Sequence, residues 1–103
     1  MQSTSLPPSL PHHRLRAWHL ALELVALVQR IRIGDAEDRK QARAAAGACA
    51  RNTAEGAGRT SRADKARVYG IARGECGECV ASVEIAEPDA WPGPDAARRR
   101  TPP

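Results

Sequence analysis

Cys76 and Cys79 form a C-x-x-C pair, the spacing of half a structural zinc site or of a redox dithiol. A zinc site would need Cys49 or a histidine to complete it, and the second pair that such sites carry is missing from the chain. Thioredoxin-like pairs sit at a helix N-terminus after a strand, whereas this one falls in mid-helix. The pair is therefore expected to supply two small buried side chains on adjacent turns, with no metal and no cofactor. His12, His13 and His19 offer imidazoles, the first two at the start of the first helix, and are expected to play a surface role. Glu55 has no partner nucleophile for acid–base work. Without a nucleophile–base pair, a phosphate loop or a metal constellation, no catalytic residue is assigned and the chain is not read as an enzyme.

The remaining chemistry is electrostatic. Arg51, Arg59, Arg62, Lys65, Arg67 and Arg73 crowd one stretch, with Arg39, Lys40 and Arg43 upstream. Clustered guanidinium groups suit bidentate contact with phosphate, and each contact made releases counterions. Glu55, Asp64, Glu75 and Glu78 share the region, so a salt-bridged, solvated surface is the competing reading. Asn52 and Glu55 lie three residues apart, on one helix face. With Arg59, Gly56 and Gly58 they read first as architecture: hydrogen bonds to the following loop and helix, and an Arg59–Glu55 pair.

These residues need helices to hold them. Leu15, Trp18, Leu22, Val25 and Gln29 recur at alternating three- and four-residue spacing, and Leu20, Leu24, Leu27 and Ile31 form a second stripe. A first helix is expected over about 13–33, with Trp18, Leu22 and Val25 in the core, the second stripe against a neighbouring helix or subunit, and Gly34 as C-terminal cap. Asp35 caps a second helix over about 36–56, whose inward positions Ala42, Ala45, Ala46, Cys49, Ala50, Thr53 and Ala54 are all small; Gly56 and Gly58 end it. Ser61 and Asp64 start a third helix over about 61–87, carrying Val68, Ile71, Ala72, Cys76, Cys79, Val80, Val83 and Ala86 at helical spacing. Gly70, Gly74 and Gly77 weaken it by up to about 1 kcal/mol each unless another helix crosses closely there.

The chain has 103 residues and a net charge of +4; fourteen of its sixteen basic residues are arginine, and aromatic residues make up 3%. That scarcity argues against base stacking, and the shortage of β-branched residues against an all-β fold. No apolar run is long enough to span a membrane. Three cysteines do not suit a secreted disulfide framework, and no signal-peptide cleavage site follows the apolar stretch after Arg14 and Arg16, so a cytoplasmic protein is expected. Residues 1–12 and 88–103 are proline-rich and expected to be disordered, leaving 13–87 as the folded domain. The run Arg98–Arg100 reads as coding noise. So small a domain has a thin core and needs a supplement, such as a partner chain.

One string goes further. Leu15-Arg16-Ala17-Trp18, Gln41-Ala42-Arg43-Ala44-Ala45, Asn52-Thr53-Ala54-Glu55-Gly56-Ala57-Gly58-Arg59 and Ile71-Ala72-Arg73-Gly74 together resemble the four-helix-bundle family of 23S rRNA intervening sequence proteins, which includes the accessory variability protein of diversity-generating retroelements. The resemblance implies an up-down antiparallel bundle. For the better understood relatives it also implies a ring-shaped homo-oligomer whose basic surface binds nucleic acid and a reverse transcriptase. Thr53, Val68 and Glu75 stand where the family has isoleucine, an aromatic residue and serine. After Ala86 the family continues into a fourth amphipathic helix where this chain is rich in proline and arginine, so a truncation or frameshift near residue 87 is expected.

The resulting expectation is an all-α antiparallel bundle of three helices lacking the fourth. Its leading function is that of a small non-catalytic accessory protein, self-assembling and binding RNA or DNA backbone through the basic surface of helices two and three. It takes no small-molecule substrate and has no membrane segment. A structural or protein-interaction module without nucleic-acid affinity, or a decayed copy that never folds stably, are the alternatives.

Overall fold

A computed structural model describes residues 10–88. The expected leader up to residue 9 and the tail from residue 89, with Arg98–Arg100, lie outside them. Three α-helices follow a single 3-10 turn, Pro11–Arg14: α1 spans Arg16–Arg30, α2 Ala36–Gly58 and α3 Arg62–Ala86. Among the described residues there is no strand, and the all-α expectation is borne out.

α1 is shorter at both ends than its hydrophobic pattern predicts. Pro11 opens the 3-10 turn, where its fixed φ and missing N–H cost nothing. Leu15 is extended and separates that turn from α1. Trp18 packs edge-on against the His12 ring, 4.6 Å between centroids, and His19 Nε2 lies 2.9 Å from the His13 carbonyl, so these histidines brace the turn. At the other end Ile31 turns extended. Ile33, expected to be helical, is instead a loop residue driven into the core, 2% exposed. Arg39 holds that loop by donating to the Ile33 carbonyl at 2.7 Å. Gly34 does not serve as the α1 cap: the helix has ended before it, and no glycine among the described residues has positive φ.

The caps of the other two helices match expectation. Asp35 accepts from the N–H groups of Glu37 and Asp38, and Ser61 Oγ accepts from Asp64 N–H at 3.0 Å, filling donors that a helix start leaves free. α2 runs two residues past its expected end. Gly56 is buried within the helix and Gly58 is its last residue, while Arg59 closes the turn by donating its backbone N–H to the Gly56 carbonyl.

The three helices are antiparallel in sequence order. Ala21, Cys49 and Ala50 form one core cluster, with Trp18, Val25 and Cys76 packed on it. Leu24, Val28 and Ile33 join Ala42, Ala45, Ala46, Cys79 and Val83 in a second. α2 packs most extensively against α3 and less against α1, because a face of alanines lets the α3 backbone approach. The core is thin, as composition predicts: its largest fully buried side chains are Val28, Val68, Val83 and Cys79.

Which α1 residues enter that core differs from expectation. Leu22 is 43% exposed, and Trp18 and Val25 are only half-buried. Ala21 and Val28 go in instead, with Leu24 from the edge of the second stripe, because α1 sits on α2 along the arc between the two stripes. Ile71, on the expected inward stripe of α3, is 43% exposed. A Cβ at Gly70, Gly74 or Gly77 would meet nothing within 4 Å, so no helix of the described chain crosses there. No described helix is long and apolar enough to cross a membrane.

Candidate nucleic-acid interface

Antiparallel packing brings the start of α1, the end of α2 and the start of α3 to one end of the bundle. Six basic residues expected from sequence are carried there, but they are not equivalent. Asp64 is a hub: its Oδ1 accepts from Arg67 Nε at 3.1 Å and Nη2 at 2.9 Å, and Arg59 Nη1 lies 3.6 Å from its Oδ2. Arg59 also pairs with Glu55 one turn back, as expected. Lys65 Nζ donates to the Ala57 carbonyl at 2.8 Å, tying α3 to the last turn of α2. Arg59 and Lys65 fasten the α2–α3 corner, while Arg67 holds Asp64 from within α3. Arg51 lies along its own helix, its Nη1 3.1 Å from where a Gly47 Cβ would stand, and it shares a shallow cleft with Glu75 and Glu78. Arg62 and Arg73 are exposed and have no ion-pair partner among the described residues.

The architectural residues act more locally than predicted. Asn52 Nδ2 donates to the Ala48 carbonyl at 2.9 Å, within α2 rather than to the following loop. Glu55 accepts from Arg59 rather than from a donor of α3. Gly56 lies beneath the Tyr69 ring, whose Cδ1 and Cε1 stand 2.8 Å from where its Cβ would be. Gly58 has open space in that direction.

Sequence reasoning missed the contribution of α1. Leu15 and Ala17 line the same groove as Tyr69 and Arg73, so Arg14 and Arg16 stand at the basic end too, both exposed. The antiparallel order of three helices joined by short loops was the available signal. Residues 10–20 and 48–73, which build this end, hold eight Arg and Lys against two acidic side chains, Glu55 and Asp64. Residues 21–47 and 74–88, which build the other, hold five against eight. A formal +6 at one end thus faces −3 at the other.

α1 and α3 both rest on α2 and barely touch each other, so an open apolar groove runs between them. Its two stretches, about 420 and 280 Å³, share Leu20, Cys49 and Cys76. Burial pushes the Cys49 thiol up, with Cys76 close by as the next contribution. Cys79 is wholly enclosed, and burial pushes it up to about 11. Raised thiols are the reverse of the depressed pKa that marks a reactive dithiol. Among the described residues no group of three or more His, Cys, Asp or Glu is placed to hold a metal ion.

The fold and its charged end define a small helical bundle with one basic end. The chain matches the family of 23S rRNA-intervening sequence proteins over residues 13–89, and it belongs to that family. No curated protein and no solved structure matches it.

Proposed function

We propose that this protein is a small non-catalytic accessory protein that self-assembles and binds RNA or DNA backbone through the basic end of its bundle. The charge separation along the bundle carries the reading: eight cations against two anions at one end, with Arg14, Arg16, Arg62 and Arg73 exposed there. Those four arginines are the phosphate-contacting groups, while Arg59 and Lys65 hold the corner that presents them and Arg67 is taken up by Asp64. Arg51, facing Glu75 and Glu78, contributes least. The surface reads backbone rather than base, because aromatic side chains for stacking are nearly absent. The family's name supports an RNA-linked role. The resemblance to the accessory variability protein of diversity-generating retroelements adds a reverse transcriptase as the protein partner.

A gel-shift titration across salt tests this. Four phosphate contacts per protomer predict an affinity loss of about a hundredfold between 50 and 200 mM salt. Arg16→Ala with Arg62→Ala is expected to weaken every RNA and DNA sequence alike and to flatten the salt slope. Absence of a shift even at low salt overturns nucleic-acid binding and leaves the second reading, a protein-interaction module, which the open apolar groove favours.

A further inference from the structure

The basic end carries a small hollow that phosphate contacts alone leave unused. Ala66, Tyr69, Gly70 and Arg73 form it on α3, and it holds about 230 Å³. Gly70 keeps it open: a Cβ there would meet nothing within 4 Å, and Ala66, one turn back, adds only a methyl group. Tyr69 is the aromatic wall, half-buried and seated over Gly56, which leaves the ring its place by having no side chain. Of the two aromatic residues among those described, Trp18 packs against His12, so Tyr69 is the ring that this part of α3 presents. Helical spacing puts Arg62, Ala66, Tyr69, Gly70 and Arg73 on one strip of α3. Arg62 and Arg73 stand at the ends of the strip, about 16 Å apart along the axis, both exposed.

We infer that this hollow takes one unpaired nucleobase, from a strand whose backbone runs along the strip with its phosphates on Arg62 and Arg73. This rests on the reading that the basic end binds nucleic acid, and adds to it a site for a base. Arg73 keeps its role as a phosphate contact and stands beside the base that the same strand inserts. A base packed on the Tyr69 ring is held by its flat face, which every base offers, so the site accepts any sequence. A duplex keeps its bases paired and stacked, and extruding one costs unstacking energy, so a duplex meets the arginines and leaves the hollow empty. The scarcity of aromatic residues excludes a row of stacked bases, and a single ring serves one.

Fluorescence anisotropy on the full chain at low salt tests it, with three probes of equal length: a single-stranded thymidine oligomer, the same strand without its bases, and the oligomer paired with its complement. The strand with bases is expected to bind about tenfold more tightly than the strand without them. Gly70→Leu fills the hollow and changes no charge, and leucine is a good helix former, so the variant should keep its helical circular dichroism. It is expected to lose the tenfold advantage while binding the base-free strand and the duplex as wild type does, with the salt slope unchanged. A uridine oligomer run in parallel distinguishes RNA from DNA as the source of the base. Equal affinity for strands with and without bases overturns the base site and leaves backbone binding standing. So does a Gly70→Leu protein that keeps the advantage, or one weakened equally on all three probes. Absence of binding to every probe overturns both.

Discussion

Tyr69 occupies the space above Gly56 that any other residue at that position would fill, and this is where a single atom matters most. Gly→Ala in a helix ordinarily stabilises by up to about 1 kcal/mol. Here the added Cβ would meet the Tyr69 ring at 2.8 Å, so Gly56→Ala is expected to destabilise by about 1–3 kcal/mol, measured by urea unfolding. In a Tyr69→Ala background the same substitution should turn favourable, which identifies the ring as the cause. The sequence marked Gly56 as special but offered the wrong reason, a helix end. The signal for packing lay in Tyr69, thirteen residues away and without any periodic link to it.

Cys79 gives the residue scale its pH dependence. Its folded-state pKa, about 11, lies above the ordinary thiol value of 9.0. Below pH 9 folded and unfolded chains both carry the neutral thiol, and its contribution is constant. Between pH 9 and 11 the unfolded chain loses this proton while the folded chain keeps it, so stability falls with rising pH, by about 2–3 kcal/mol in all. Cys49 shifts in the same direction. Denaturation of wild type and Cys79→Ala over this range is expected to show a steeper decline for wild type; parallel curves would exclude the thiol as its source.

At the scale of elements, helix number, order and caps were legible because each rests on local chemistry: Asp35 and Ser61 supply oxygen acceptors where chain and charge say a helix begins. The face that α1 buries was not legible. Two apolar stripes leave two choices, and the alanine surface of α2 selects the arc between them, so Leu22 stays out and Val28 goes in. The glycines of α3 were misread for a related reason: small residues imply close approach only where something approaches. Gly70, Gly74 and Gly77 face open space, so alanine at each should stabilise by up to about 1 kcal/mol. Thermal unfolding of the triple variant is expected to rise by several degrees. A fall would mean that another surface rests on this face of α3.

For the molecule as a whole, the net +4 understates the field a phosphate backbone would meet. Net charge alone would make all arginines equal contributors. The bundle instead separates +6 from −3, and position along it decides which arginines act. The basic residues of helices two and three were visible as a cluster, but their inequality was not, because Asp64 and the Ala57 carbonyl take up Arg59 and Lys65 only once the corner is folded. Arg14 and Arg16 join the site only when α1 folds back against α2. Two double variants of equal charge separate the alternatives. Arg14→Ala with Arg16→Ala, at the basic end, is expected to lower the salt slope of nucleic-acid binding by about two. Arg30→Ala with Arg32→Ala, at the acidic end, should leave the slope unchanged although it removes the same charge. Equal effects from the two pairs would make net charge, and not its separation along the bundle, the source of binding.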